Sequence, residues 1–229
     1  MKRLPIVAID GPAGAGKSTV ARGVAAQLGY AYLDSGAMYR CVALAARIAG
    51  VDLDDAQRLG DLALAAEIGF APGTPQHVLL DGRDVTEAIR TPDISAGASR
   101  VSVHSGVRRA MVERQRRLGE AGGVVMEGRD IGSVVFPAAE VKVYLTATDA
   151  ERARRRAEER RAKGLVVADD ATVLAEIRER DERDRTRADS PLVIAEGAKQ
   201  LVTDGMSTQS VIDRIAGWVH EVRGGGGHG

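Results

Sequence analysis

The chain has 229 residues, is 44% hydrophobic and balances 32 basic against 32 acidic side chains. That is enough apolar material for a sizeable core, while a formal charge of zero gives the molecule no polyanion-binding signature, so no nucleic-acid partner is expected. No apolar run approaches the roughly 20 residues of a spanning helix, so no membrane association is expected, and the one cysteine, Cys41, excludes an internal disulfide and fits a reducing, cytoplasmic setting.

The first element, PIVAID, is an apolar run ending at Asp10 and predicts a buried strand. The start MKRLPIVAIDGP superficially resembles a secretion leader, but its apolar part is short and leads straight into a glycine turn, so it reads as core. That turn places Gly11, Gly16, Lys17 and Ser18 at the fixed positions of G-x-x-x-x-G-K-[ST], and KSTVARGVAAQL then carries apolar residues at helical spacing. Strand, glycine turn and helix form the setting of a phosphate loop. Glycines let successive backbone N–H groups turn inward, and the helix start adds the positive end of its dipole. Lys17 then reaches β- and γ-phosphates, and the Ser18 hydroxyl holds Mg²⁺.

A second strand, YAYLD, ends at Asp34; LDSGAMYR leaves it through Ser35 and Gly36, with Ser35 as a helix N-cap and Arg40 facing back toward the ligand edge of the sheet. Between Glu67 and Ile89 the alternation breaks. Pro and Gly punctuation and the hairpin signal Asp81-Gly82 predict a small inserted antiparallel sheet, followed by helices, one starting near Ser105. Three more strands follow: GGVVME ending at Glu127, VKVYLT ending at Thr146 and QLVTD ending at Asp204. With helices between them the five strands predict a three-layer α/β fold with a parallel sheet, whose ligands gather at the strands' carboxyl ends. Asp10, Asp34 and Glu127 stand at those ends, and Asp34 and Glu127 are candidates to hold Mg²⁺-bound waters. The closing GGGGHG reads as a flexible tail.

Arginine dominates the basic residues, 27 against 5 lysines, and no asparagine occurs anywhere. The missing asparagine excludes the Asn-Lys-x-Asp base-reading motif of guanine-specific switch proteins. Three stretches, Val107 to Arg117, Glu151 to Arg161 and Arg178 to Arg187, are dense in arginine interleaved with acids. Most of these read as solvated helix faces laced with ion pairs. A subset is expected to serve phosphate, because the guanidinium fork grips phosphate oxygens bidentately and keeps its charge. In MEGRDIGSVVFP the turn Gly128-Arg129-Asp130 sets a cation and an acid at the sheet's ligand edge.

GPAGAGKST, LDSGAMYR, the inserted sheet followed by IRTPDISAGAS, GRDIGSVVFP and RDERDRTRADSPL occur in one order. Together they resemble the bacterial cytidylate kinases, a branch of the nucleoside monophosphate kinases, over essentially the whole chain before the glycine tail. The resemblance implies a single P-loop kinase domain over 1–223, with core segments 1–34, 105–150 and 164–223, an acceptor-binding region with the inserted sheet over 35–104, a lid over 151–163 and a tail over 224–229. It implies that Gly11, Pro12, Ala13, Gly14, Ala15, Gly16, Lys17, Ser18 and Thr19 bind the phosphates of ATP. It further implies that Arg40, Arg129 and Arg187 grip the acceptor phosphate with Ser35 beside them, that Ser99, Arg108 and Asp130 read the cytosine edge, and that Arg180 and Asp184 lie near the ribose. The helix Arg152 to Lys163 resembles a lid over ATP, with Arg155 and Arg156 as its catalytic arginines beside Lys17 and Arg129. The implied reaction is ATP plus CMP, or dCMP, to ADP plus CDP or dCDP, in pyrimidine metabolism, by a monomer. A kinase of the same fold acting on UMP, AMP or a hydroxylated metabolite is the nearest alternative, and a nucleotide-dependent switch is the alternative from another class.

Overall fold

The computed structural model of the chain describes residues 3–73, 76–162, 164 and 169–225. Its elements run β1 (Leu4–Asp10), α1 (Lys17–Leu28), β2 (Ala31–Asp34), α2 (Ser35–Ala49), α3 (Ala56–Ala65), β3 (Ile68–Ala71), β4 (His77–Leu80), β5 (Arg83–Asp84), α4 (Pro92–Val101), α5 (Ser105–Gly119), β6 (Gly122–Gly128), β7 (Val141–Thr146), α6 (Asp149–Ala162), α7 (Asp170–Thr186), β8 (Lys199–Val202) and α8 (Thr208–Gly225). They form two units, one of Met1–Tyr32, Gly119–Thr186 and Ser190–Gly229, the other of Leu33–Leu118 and Arg187–Asp189.

In the first unit β1 is the middle strand of a five-stranded sheet ordered β2-β6-β1-β7-β8, and β1 pairs in parallel with both β6 and β7. Every residue of β1 after Leu4 is buried. A parallel strand covered on both faces has no polar side to alternate with, which is why it reads as an unbroken apolar run. Val20 and Val24 of α1 and Val211 and Ile215 of α8 share one core with Val7, Ile9, Val143 and Leu201. Helices α6 and α7 pack on each other, and Ala153, Val173 and Ile177 enclose Ala13 of the loop after β1.

Three expected boundaries shift. The last strand ends at Val202 rather than Asp204, because the Thr203 hydroxyl turns to the Thr146 carbonyl and the Asp204 carboxylate accepts the Thr148 N–H at 3.0 Å. Helix α6 starts at Asp149, capped by Thr148, whose Oγ1 accepts the Glu151 N–H at 3.3 Å; Lys163, its expected end, lies outside the described residues. Helix α8 continues through Gly224 and Gly225, where a tail was expected; glycine adopts helical angles at a cost of about 1 kcal/mol, which an established helix absorbs. Residues 226–229 lie outside the described residues.

The second unit joins α2, α3, α4 and α5 to a three-stranded antiparallel sheet ordered β3-β4-β5. Asp81 (φ 50°) and Gly82 (φ 76°) make the two-residue loop between β4 and β5, with both residues left-handed as a type I′ turn demands. The Asp81 carboxylate also accepts the Glu67 N–H at 2.8 Å, clipping the hairpin to the start of β3. Met38, Val42, Leu59, Ile68, Leu80, Ile94, Val101 and Met111 build the core. Cys41, on α2, is wholly buried there, and burial pushes its thiol up to about 12. The expected N-cap at Ser35 falls one residue earlier: Asp34 caps α2, its carboxylate accepting the Ala37 N–H, and Ser35 is the first helical residue.

Candidate active site

In the first unit the end of β1 turns through residues 11–16 into α1. Gly11 has φ 152°, and a Cβ there would stand 1.9 Å from the Leu145 carbonyl oxygen, so no other residue fits. Gly16 takes the N-cap position of α1 in the left-handed region, no side chain caps that helix, and its first turn carries no acid. A helix start left without a side-chain cap suits an anion. Ser18 is half-buried and Thr19 exposed.

Lys17 opens α1, is buried, and donates to the Pro12 carbonyl at 2.7 Å. Burial, with the charge of Arg129 next, pushes its ammonium down to about 7; Glu127 and Asp181 oppose the shift and Arg180 adds to it. The phosphate-loop lysine, the GRD turn and two residues of α7 are therefore electrostatic neighbours. Glu127, at the end of β6, accepts the Tyr32 hydroxyl at 2.6 Å. Arg129 donates through Nε to Asp184 at 2.9 Å and through Nη1 to the Gly128 carbonyl. Burial disfavours the Arg129 cation, but Asp184 outweighs it and holds the guanidinium above its ordinary range.

The turn carrying Arg129 and Asp130 is fixed by Asp10, which sequence reasoning marked only as a strand end. Its two oxygens accept the N–H groups of Ile131 at 2.8 Å and Gly132 at 2.7 Å. Burial, despite those two bonds and with Asp130 nearby, pushes Asp10 up to about 6.

Helix α7 buries Val173, Ile177, Asp181 and Asp184 on one face, a stripe that begins apolar and ends charged. For Asp184 the solvated-pair reading therefore fails; for Arg178 and Arg185, both well exposed, it holds. On α6, Arg155 lies against the loop, donating to Thr203 Oγ1 at 2.9 Å, to the Thr203 carbonyl at 3.0 Å and to the Ala15 carbonyl at 3.4 Å. Arg156 instead donates to Glu159 on its own helix at 2.9 Å. Arg152 and Asp181, neither singled out in the sequence, form a buried ion pair at 2.5 Å.

The second unit carries the remaining expected residues. Arg40 pairs with Asp34 at 2.6 Å; burial pushes the Asp34 carboxyl up, but Arg40 outweighs it and the carboxyl sits below its ordinary range. Ser35 on α2, Ser99 on α4, Arg108 on α5 and Arg187 are all buried. Arg108 donates to the Ser102 carbonyl at 3.2 Å and lies 5.5 Å from the ring centre of Tyr39, a cation–π contact that sequence reasoning missed. Tyr39 stands next to Arg40 in LDSGAMYR, one helical residue away from a position already chosen.

The family model described as Cytidylate kinase matches residues 7–221. A protein named Cytidylate kinase from Solibacter usitatus is 54% identical over 211 residues, 92% of this chain and 90% of that protein. A Bifunctional pantoate ligase/cytidylate kinase from Synechococcus sp. (strain CC9605) is 50% identical over 219 residues, 95% of this chain, and the chain spans 46% of its length. An uncharacterized protein from Eubacterium ventriosum shares the fold with a TM-score of 0.50 at 12% identity, over 94% of this chain and 98% of its own.

Proposed function

The chain belongs to the cytidylate kinase family, and we infer from that premise that it moves the γ-phosphoryl group of ATP onto CMP or dCMP, giving ADP and CDP or dCDP. The observation that carries the reading is the buried Lys17 at the head of α1, gathered with Glu127, Arg129, Arg180 and Asp181. Phosphoryl transfer asks the protein for little covalent work; alignment and cations around the moving group supply the catalysis. Gly11 through Thr19 are assigned to the donor phosphates, Lys17 to the β- and γ-oxygens, and Arg155, with Arg156 in a lesser part, to the same charge from α6. Arg40, Arg129 and Arg187 are assigned to the acceptor phosphate with Ser35 beside them, and Arg180 and Asp184 to the ribose. Asp130 suits the exocyclic amine of cytosine and Arg108 its carbonyl, since a carboxylate accepts and a guanidinium only donates. The acceptor phosphate brings its own anionic oxygen, so the transfer needs no general base.

Mg²⁺ fits this site as an ion held chiefly by substrate. Among the described residues no three His, Cys, Asp or Glu side chains gather as a metal cage, and Mg²⁺ keeps several waters and takes phosphate oxygens with one or two protein oxygens. The Ser18 hydroxyl at the head of α1 is the protein donor this reading uses, with the carboxylates of Glu127, beside Lys17, and of Asp34 assigned to the ion's waters; both oxygens of Asp34 also accept from Ala37 and Arg40. The ion supplies neutralising charge to the donor phosphates. We assign the enzyme to the cytoplasm and to pyrimidine metabolism, working as a monomer.

A coupled ADP-release assay across nucleoside monophosphates tests the acceptor. CMP and dCMP are expected to exceed UMP and AMP in kcat/KM by about 100-fold or more, because a base that cannot pair leaves the polar groups of the site unsatisfied. Equal turnover of UMP or AMP removes the base-edge assignment.

A further inference from the structure

We propose that Arg152 and Asp181 are positioning residues for the phosphate loop, acting through the peptide bonds on either side of Ala13; the proposal rests on the reading of that loop as the ATP site. Asp181 Oδ1 accepts the Ala13 N–H at 2.9 Å, and Arg152 Nη1 donates to the Ala13 carbonyl at 2.8 Å. The same Nη1 donates to Asp181 Oδ2 at 2.5 Å, closing a ring of three partners. Both side chains are about 95% or more buried, and the Ala13 methyl is enclosed by Ala153, Val173 and Ile177. Behind the pair, Asp149 accepts from Arg152 Nη2 at 2.5 Å and from Arg178 at 2.9 Å.

A buried ion pair is a weak source of stability, because desolvating both charges offsets their attraction. This pair fixes two successive peptide planes instead. The Ala13 N–H belongs to the same peptide unit as the Pro12 carbonyl, and that carbonyl receives Lys17 Nζ at 2.7 Å. The clamp therefore holds one end of a planar unit whose other end seats the phosphate-binding ammonium. Turning that N–H toward Asp181 also fixes the direction from which residues 14–18 enter the curl of the loop. Arg152 sits in the first turn of α6, ahead of Arg155, so that end of the helix is bound to the loop and to α7.

The test replaces both charges together, which avoids stranding one of them: Asp181→Leu with Arg152→Met. The expected result is a protein with near-native thermal stability, CMP affinity unchanged within about twofold, and a KM for ATP raised by about tenfold with a lower kcat, as small misplacements of reacting groups produce. Asp181→Asn with Arg152→Met, which keeps an oxygen for the Ala13 N–H, is expected to recover much of the ATP KM. A folded Leu/Met variant with native ATP kinetics overturns the proposal, and so does an Asn/Met variant no better than Leu/Met. Hydrogen exchange in the unaltered protein tests the same point if a variant does not fold: the Ala13 amide is expected to be as protected as the amides of β1, and exchange at the rate of an open loop overturns the clamp. Lys17→Ala separates the two levels. If it leaves ATP affinity and transfer intact, the ATP-site reading itself falls and the proposal with it; if it impairs them while Leu/Met does not, the clamp alone is wrong.

Discussion

Burying Lys17 at the head of α1 pushes its ammonium down to about 7, with Arg129 adding to the effect, so near neutral pH part of the ligand-free population holds this lysine uncharged. Polyphosphate favours the charged form, and ATP binding should draw a proton from solvent. The expected uptake is about half a proton at pH 7, rising toward one above it. Calorimetric titration of ATP in buffers of different ionisation heats measures it, with Lys17→Met as the reference; identical proton uptake in the two proteins contradicts the assignment. Asp184 poses a different problem, because it is buried and holds Arg129 at 2.9 Å. Asp184→Ala therefore unpins an arginine assigned to the phosphate of both acceptors, and CMP and dCMP should both suffer. A contact to the 2′-hydroxyl adds a loss on CMP alone, about 1.5–3 kcal/mol for a hydrogen bond to a charged group, or roughly 10- to 150-fold in kcat/KM beyond the loss on dCMP. Equal losses on the two substrates return Asp184 to a purely supporting role for Arg129.

Among the elements, α6 shows where a sequence is readable and where it stops. ERARRRAEERR announces a charged helix, and Arg154, paired with Glu151 and Glu158, behaves as the solvated face that composition suggests. Arg152 and Arg155 share the opposite face by their i,i+3 spacing, yet nothing local marks it as the inner one. Beyond Asp149 and Glu151 on α6 itself, their partners are Asp181 of α7 and Ala13, Ala15 and Thr203 in loops after distant strands. Arg155 and Arg156 are accordingly unequal: Arg155→Ala should lower kcat and raise the KM for ATP by about tenfold, while Arg156→Ala should change either by no more than about threefold, a difference expected when only one arginine is already aligned with the donor loop. Steady-state kinetics on both single variants decides it, and a larger loss at Arg156 reverses the assignment. The strands were easier, because β1, β6 and β7 are apolar runs bounded by turns. Asp34 was harder, since LDSG offers two adjacent capping residues and only the backbone angle at 34 selects the first.

At the scale of the molecule, the five-stranded sheet and the inserted hairpin were legible because each strand announces itself through a short local run of residues. The clamp by Asp10 was not, because its partners lie 121 and 122 residues away in the chain. Burying the Asp10 carboxylate has a cost visible in stability, which the two bonds only partly offset. The folded-state value of about 6 for Asp10 stands above the ordinary 3.8 of an aspartate, so its contribution is fully present below about pH 3.8 and is lost as pH rises through 6, by about 3 kcal/mol. Urea unfolding of the unaltered protein and of Asp10→Asn at several pH values reads this directly: the stability of the Asn variant relative to the unaltered protein should climb between pH 4 and 7, and a flat difference denies the shift. The second unit carries its own instrument. Cys41 is the one thiol in the chain, wholly enclosed by α2 and its neighbours, and a thiol reagent reaches it only when that packing comes apart. Its rate of modification is thus a clock for excursions of the second unit alone, and any molecule that clings to the closed form slows that clock in proportion to its occupancy.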